Sequence, residues 1–519
     1  MLQPFADGEF VIVGAGSAGA VLAARLSEDA DRQVTLLEAG PDYPDAETIP
    51  EDLRFGFGTA AGIVSCSHDW HLEAYLTSRR VLSHLPRGRL VGGCSAVNAQ
   101  IFLRGEKEDF DDWSRRGAAG WSFADVLPYF RRLERDFDFP EKPYHGADGP
   151  IPVLRVQAHR RTPDQQAFFA ACRAAGFPEC EDHNEPENTG VGSLPLNNTS
   201  GIRWSTALTY LQEARGRPNL RIVAGATAQR IVFDRRRVVG VEAMTATGGT
   251  FIPARRLFLC AGAIGTPHLL MLSGVGPAFD LRELGIPLVL DQPEVGAHLQ
   301  DHPSAEINWS LDPDFAVAAD RHSHQVALRY TARQSSRRND MIIYAAADPI
   351  ERRFYMRPTV NLADSRGRIS IVSADPAEPP RLEFNLFGSA NDLRRMREAI
   401  RIAKSLASHA AFRSIIADPA DTTLPKMDDD SALDEWIINN AATGHHVAAT
   451  CRMGSGGVVD ANCRVRGIEN LWIVDASIIP VMVRANLNSC VIMMAEVAAD
   501  RIRKGSSGKP NGREAGSPS

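Results

Sequence analysis

The chain is short of several things, and each shortage excludes a class. None of its eight cysteines (Cys66, Cys94, Cys172, Cys180, Cys260, Cys451, Cys463 and Cys490) forms a CxxC pair or a metal-finger spacing. That argues against a zinc ribbon, a dithiol redox pair and a disulfide framework. Scattered thiols in so long a chain are expected to stay reduced, in a cytoplasmic setting, as small buried side chains. There is no apolar run of roughly 18 residues, so no membrane-spanning helix is expected. Positive charge is not in excess: the net charge is −7 and the pI about 6.1. Neither nucleic acid nor an anionic membrane surface is therefore an expected partner. The first apolar run begins at Phe10, too early to leave room for a charged segment and an apolar segment before it, so no secretory leader is expected. The stretch from Gly505 to Ser519 is rich in Gly, Ser and Pro and has almost nothing to bury, so residues 506–519 are expected to be a disordered tail.

What is present is ordinary globular material, 519 residues with 44% apolar and 23% charged, enough for at least two domains. Its informative part comes first. Phe10 to Val13 is a short apolar strand, followed at once by Gly14-Ala15-Gly16-Ser17-Ala18-Gly19, then a helical stretch, then a second buried strand ending at Glu38. In such a loop Gly14 permits the tight turn, Gly16 lets backbone approach a pyrophosphate, and Gly19 lets helix and strand pack closely. The open N–H groups of the helix face the phosphates. Glu38 stands where an acid binds ribose hydroxyls. A GxGxxG alone is weak, but strand, loop, helix, strand and acid in this order point to a dinucleotide cofactor.

Five further segments carry a resemblance. "RGRLVGGCSAVNAQIFLRG" (87–105) resembles the first signature of the glucose–methanol–choline (GMC) oxidoreductases, and "GAIGTPHLLMLSGVG" (262–276) the second. "HGADGP" (145–150), "GAHLQDHP" (296–303, with His298 where Asn is usual) and "LWIVDASIIP" (471–480) are similar to other family segments, in the family order. Glu38-Ala39-Gly40 resembles the acid–Ala–Gly ending of flavoproteins and so implies FAD. Within the family the chain is most similar to a bacterial branch with aryl-alcohol (5-hydroxymethylfurfural) oxidases, pyridoxine 4-oxidase and choline dehydrogenases.

The resemblance implies an α/β fold in which a Rossmann-like FAD domain (1–155, 195–305 and 440–505) is interleaved with an antiparallel-sheet substrate domain (156–194 and 306–439). It implies cofactor contacts at Gly14, Gly16, Ser17, Ala18, Gly19, Glu38, Ala39, Arg89, Gly92, Gly93, Asn98, Ala99, Ala226, Thr227, Asp475, Ala476 and Asn488. Val97 stands where members with covalently bound flavin carry histidine, so the FAD is expected to be non-covalent. The implied reaction is oxidation of a primary alcohol, an aryl or heteroaryl methanol, in a monomer or homodimer. Hydride goes to the flavin, and electrons pass on to O2, giving hydrogen peroxide, or to another acceptor. A non-redox lyase or a photodecarboxylase on the same fold is the alternative.

Hydride leaves an alcohol carbon only if the hydroxyl proton leaves too, so a base must reach the hydroxyl. Histidine suits the task near neutral pH. The family places its base eight residues before the glycine of a "TCRMG" segment, which is His446 here, and a second polar residue in an Asn-x-Asn, assigned to Asn488. The helix after it would direct its positive end at the reduced ring. Ser489-Cys490 replaces a pair that usually ends in Pro, which puts the local backbone in question. His445 precedes the base. In an extended strand the two rings would point to opposite faces; in a turn both could line the pocket, and His445 would shape the substrate. Phe354 and Tyr355 fall where the family lines its substrate funnel, with sheet packing as the plain alternative. No carboxylate or cysteine stands at ligand spacing around the pair, so no metal is expected.

The remaining pattern is structural. Asn219 to Met244 reads as strands turning at Asp234–Arg237, Gly367 to Phe387 as an antiparallel pair, and 391–408 as a helix with Asn391 as its N-cap.

Overall fold

The computed structural model describes residues 8–56, 67–317, 321–420 and 423–506. Cys66 and the expected tail beyond Ser506 lie outside them. Two seven-stranded sheets organise the chain. In the first, Gly8–Val13 runs parallel between Val34–Leu37 and the end of the long strand Gly248–Leu259, with Leu220–Val223 and Leu471–Ile473 extending the parallel part. Thr227–Asp234 and Arg237–Thr245 continue it as an antiparallel meander, the hairpin expected from the sequence. Parallel strands are covered on both faces, and Val34–Leu37 is accordingly buried at every position. The helix Ser17–Leu26 lies on this sheet and packs against the C-terminal helix Leu487–Ser506. Glu496, fully buried, joins the two helices: it accepts from Arg25 Nη2 at 2.8 Å and from the Tyr210 hydroxyl at 2.8 Å.

The second sheet runs Ala441–Thr443, Pro303–Ala305, Arg353–Val360, Met341–Asp348, Val326–Tyr330 and Gly190–Ser193, with antiparallel pairing throughout and Ile307–Ser310 alongside Arg353–Val360. The helix Ala390–Ala407 covers one face through Met396, Ala399, Ile400 and Ala403, spaced as one helical stripe. Its N-cap is Ser389, whose Oγ accepts from the Asn391 N–H at 3.2 Å, so the cap lies two residues before the expected Asn391. Arg368–Ser370 and Arg381–Glu383 form the expected antiparallel pair.

The two sheets meet along a seam. Residues 300–305 zip against 441–448, with Gln300 and Ala448 exchanging backbone bonds of 3.1 and 3.0 Å and the Gly444 N–H donating to His302 O at 2.9 Å. The domain boundaries expected at 305 and 440 cut through this seam: Pro303–Ala305 and Ala441–Thr443 hydrogen-bond within the second sheet, although the chain around them serves the first.

Of the seven described cysteines, all free, six are buried as expected; Cys94 is exposed. No helix among the described residues is long and apolar enough to cross a membrane.

Candidate active site

The Gly-rich loop is shaped by contacts that leave no room for side chains. Gly14 has φ +96°, and a Cβ there would lie 2.5 Å from Cys260 O; one on Gly19 would lie 1.9 Å from Gly14 O. Gly93 approaches Gly16 so closely that its Cβ would sit 2.7 Å from the Gly16 Cα. The helix Ser17–Leu26 starts at Gly16 without a side-chain cap and without an acid in its first turn, so its N–H groups are open to an anion. Glu38 is buried, and its two oxygens accept from the N–H groups of Ala15 and Gly40, each at 3.0 Å. It therefore fixes the loop's exit as well as presenting a carboxylate there. Ala18 packs in the core, and Ala226 donates its N–H to Glu38 O at 2.8 Å just before Thr227. Ala39 lies between Glu38 and Gly40, whose Cβ would strike Arg89 O; the Arg89 guanidinium stacks over Trp70 at 5.1 Å. Gly92 has φ +101°, and Asn98 Oδ1 accepts from the Gln100 N–H at 2.9 Å beside Ala99. Asp475 uses its carboxylate on the protein, accepting from Gly262 N–H (2.9 Å), Thr266 Oγ1 (2.6 Å) and Ser477 N–H (2.8 Å), and the Ala476 carbonyl accepts from the Ala449 N–H at 3.1 Å.

His446 stands at the seam, in a chain of three hydrogen bonds that fixes its tautomer. His302 Nε2 lies 2.9 Å from Val483 O, so that nitrogen carries the proton. Burial pushes the His302 pKa down to about 4, so the ring is neutral and its Nδ1 is a lone pair. His446 Nδ1 is 2.9 Å from that atom and must donate to it. The remaining nitrogen, His446 Nε2, is then a lone pair, and Asn486 Nδ2 donates to it at 3.2 Å. Lost solvation first, then the neighbouring His302, His445 and Arg87, hold the His446 pKa well below its ordinary value. The ring is thus a neutral, oriented proton acceptor. Asp301 locks both strands of the seam: its carboxylate takes the N–H groups of His302 (2.7 Å) and His446 (2.9 Å) and the Thr443 hydroxyl.

The asparagine beside the base is Asn486, not the expected Asn488. Asn488 Oδ1 accepts from Ser17 Oγ at 2.8 Å, tying the C-terminal helix to the Gly-rich loop instead. The helix begins at Leu487, between the two asparagines, and their amides go to different partners. Asn486 precedes the helix and is held by Tyr344, whose hydroxyl donates to its Oδ1 at 3.2 Å. The helix runs unbroken through Ser489-Cys490; Cys490 is fully buried, and burial pushes its thiol up to about 12, so it stays protonated.

His445 sits in a turn with φ +63°, its N–H on Thr443 Oγ1 at 2.9 Å, so the two rings are not forced to opposite faces as in a strand. Its Nδ1 is buried without a partner. Phe354 and Tyr355 part company by strand alternation. Phe354 packs in the core against Phe412 (ring centroids 4.9 Å apart) and Trp309, away from the site. Tyr355 faces the other way, its hydroxyl 3.1 Å from His324 Nε2, and the His324 ring meets Tyr344 edge-on at 5.9 Å. Sequence reading missed His302, Asp301, Tyr344, His324 and Asn486. The "LQDHP" segment was a signal for the first two; the others are joined only by sheet register.

Among the described residues, two groupings elsewhere have metal-ligand chemistry, Asp69–His71–His84 and Glu134–Asp136–His145. In the second, Arg104 pairs with Glu134 and Arg155 with Asp136 at 2.9 Å, so the carboxylates are already compensated.

A loop whose Gly14 and Gly19 admit no side chain, a bare helix N-terminus and an oriented neutral histidine across a domain seam describe a dinucleotide-dependent oxidoreductase. Family models described as GMC oxidoreductase match residues 8–304 and 363–495. The chain belongs to the GMC oxidoreductase family. It is 36% identical over 496 residues to an uncharacterized GMC-type oxidoreductase of Rhodococcus erythropolis, covering 95% of this chain and 97% of that one. To the oxygen-dependent choline dehydrogenase of Pseudomonas aeruginosa it is 35% identical, covering 95% and 94%. Among solved structures it is similar to pyridoxine 4-oxidase from Mesorbium loti, with a TM-score of 0.89, 28% identity and coverage of 96% and 99%. A fungal aryl-alcohol oxidase shares the fold at a TM-score of 0.81 and 21% identity. This GMC oxidoreductase is an FAD-dependent enzyme acting on alcohols. The cradle fits the cofactor: Gly14, Gly16 and Gly93 leave its path clear, the Ser17–Leu26 N-terminus suits the pyrophosphate, and Glu38 closes the loop.

Proposed function

We propose that this enzyme oxidises a primary alcohol of the aryl or heteroaryl methanol type to its aldehyde, with His446 as base. FAD, when bound, supplies the two-electron acceptor for the carbon-bound hydrogen. The chain's own residues do the rest. His446 Nε2 takes the hydroxyl proton as the substrate hydroxyl replaces Asn486 Nδ2 on its lone pair, and His302 keeps that nitrogen unprotonated by accepting from Nδ1. Asn486 Nδ2, oriented by Tyr344, donates to the substrate oxygen as negative charge grows on it. The observation that carries this reading is the hydrogen-bond chain Val483–His302–His446–Asn486, which puts the His446 proton on Nδ1 and leaves Nε2 unprotonated, with Asn486 Nδ2 on its lone pair.

The FAD is held non-covalently: Val97 is buried among Leu53, Leu90 and Ala96, with no nucleophile at that position. Choline is disfavoured as substrate, because Glu306 is already shared by Arg353 and Arg357, and Asp301 by the His302 and His446 N–H groups and Thr443. Electrons leave to O2 or to another acceptor. Anaerobic mixing with benzyl-type alcohols tests the reading. Flavin bleaching with aldehyde formed in equal amount is expected, and its loss in His446→Ala with FAD still bound. Unchanged bleaching in that variant sinks the base assignment, and a yellow pellet after acid precipitation sinks the non-covalent one.

A further inference from the structure

Three side chains bearing nitrogen, Arg357, Arg87 and His445, each keep one nitrogen without a hydrogen-bond partner among the described residues. On the strand Arg353–Val360, Tyr355 and Arg357 share a face, with the Arg357 guanidinium 5.8 Å from the centre of the Tyr355 ring. Arg357 lies directly across from Tyr344 on the neighbouring strand, and cross-strand partners are side-by-side neighbours. Tyr344 reaches Asn486, so Arg357 is joined to the catalytic pair through one intervening side chain. Arg357 gives Nε (3.2 Å) and Nη2 (2.7 Å) to Glu306 Oε2; its Nη1 donates to no group among the described residues. Two more polar atoms lack partners: Arg87 Nη2 and His445 Nδ1, both buried. The acceptors close by are spent. Glu306 divides its oxygens between Arg353 and Arg357, and Asp301 serves two backbone N–H groups and Thr443. Burial first, then the charges of Arg87 and Arg357, push the His445 pKa down to about 3.

We propose that the alcohol this enzyme oxidises carries a carboxylate, received by the free Nη1 edge of Arg357 on the sheet face it shares with Tyr344 and Tyr355. The substrate class is therefore a hydroxymethyl acid whose carboxylate lies across a flat ring from the CH2OH group. A guanidinium binds carboxylate through short, directional, charge-assisted bonds, whereas a neutral alcohol leaves Nη1 unpaired and a cationic one is repelled. The inference rests on alcohol oxidation at His446 and names its substrate.

The test uses the FAD-loaded enzyme with two substrates, 4-(hydroxymethyl)benzoate and benzyl alcohol, and one unreactive probe, 4-methylbenzoate, whose binding is read from the flavin absorbance. The native enzyme is expected to favour the acid over benzyl alcohol by about tenfold or more in kcat/KM. Arg357→Met should erase that preference and weaken 4-methylbenzoate by a similar factor, and Arg357→Lys should keep part of both. Glu306→Gln, which releases the guanidinium from its internal partner, should move both readouts the opposite way. A native preference for benzyl alcohol or choline overturns the proposal, as does an Arg357→Met variant that slows both alcohols equally. Arg357-dependent binding of 4-methylbenzoate with no bleaching by either alcohol upholds the anion site and refutes the oxidation reading instead.

Discussion

His145 and His446 are both enclosed histidines with each ring nitrogen engaged, but their partners differ. His145 is fully buried among carboxylates: Nδ1 lies 2.7 Å from Glu134 and 3.0 Å from Asp136, and Nε2 2.7 Å from Asp182. Burial pulls its pKa down, but the hydrogen bonds to Asp136, Asp182 and Glu134 outweigh that and push it up to about 10. His446 has a neutral histidine on one side and an amide on the other, so nothing offsets its lost solvation and it stays uncharged. Both belong to family segments. Three carboxylate contacts turn a histidine into a structural cation; His302 and Asn486 in their place make it a base.

The comparison can be broken most sharply at His446. His446→Ala should cost about 10²–10⁴-fold in the rate of flavin reduction while leaving thermal stability near native, checked by stopped-flow and a melting curve. His145→Gln should do the reverse. Its carboxylates lose a buried cationic partner, and stability should fall by about 3–5 kcal/mol in urea titration with little change in the reduction rate. The pH dependences sharpen the contrast. For His145 the folded pKa lies above the unfolded one, so its stabilisation is complete below the unfolded value of about 6.5 and is lost as pH rises through about 10. That loss of urea stability should vanish in His145→Gln. For His446 the folded pKa is depressed, so flavin reduction should be flat from about pH 6 upward and fall only in more acid solution. His302→Asn removes the acceptor that fixes the tautomer. It should slow reduction by about tenfold to a hundredfold and make the rate rise through neutral pH, a change that loss of packing alone would not produce. The smallest effect separates the two asparagines. Asn486→Ala should lower the reduction rate, whereas Asn488→Ala should lower it less and instead weaken FAD retention by releasing Ser17, checked by gel filtration.

Much of this was legible in the chain because local constraints are written locally. Gly14, Gly16 and Gly19 announce a close turn, and the strand periods around them announce the parallel sheet. His446 was found through a segment that keeps fixed spacing to Gly454. What could not be read were partners joined by register. His302 meets His446 only because 300–305 zips against 441–448, and Tyr344 reaches Asn486 only through the second sheet. Asn486 and Asn488 look equivalent as letters, and the start of a helix between them decides which one faces the base. Phe354 and Tyr355 differ only in which face of a strand they take. Pro303–Ala305 and Ala441–Thr443 blurred the domain boundary for the same reason: their neighbours in sequence and in the sheet belong to different layers.

Nitrogen-15 NMR of the histidine rings, recorded on the FAD-bound enzyme at neutral pH and assigned with His446→Ala and His145→Gln, tests the central claim most directly. The hydrogen-bond chain requires His446 to be neutral with its proton on Nδ1 and an unprotonated Nε2, and His145 to carry protons on both nitrogens. A doubly protonated His446, or one with its proton on Nε2, would contradict it.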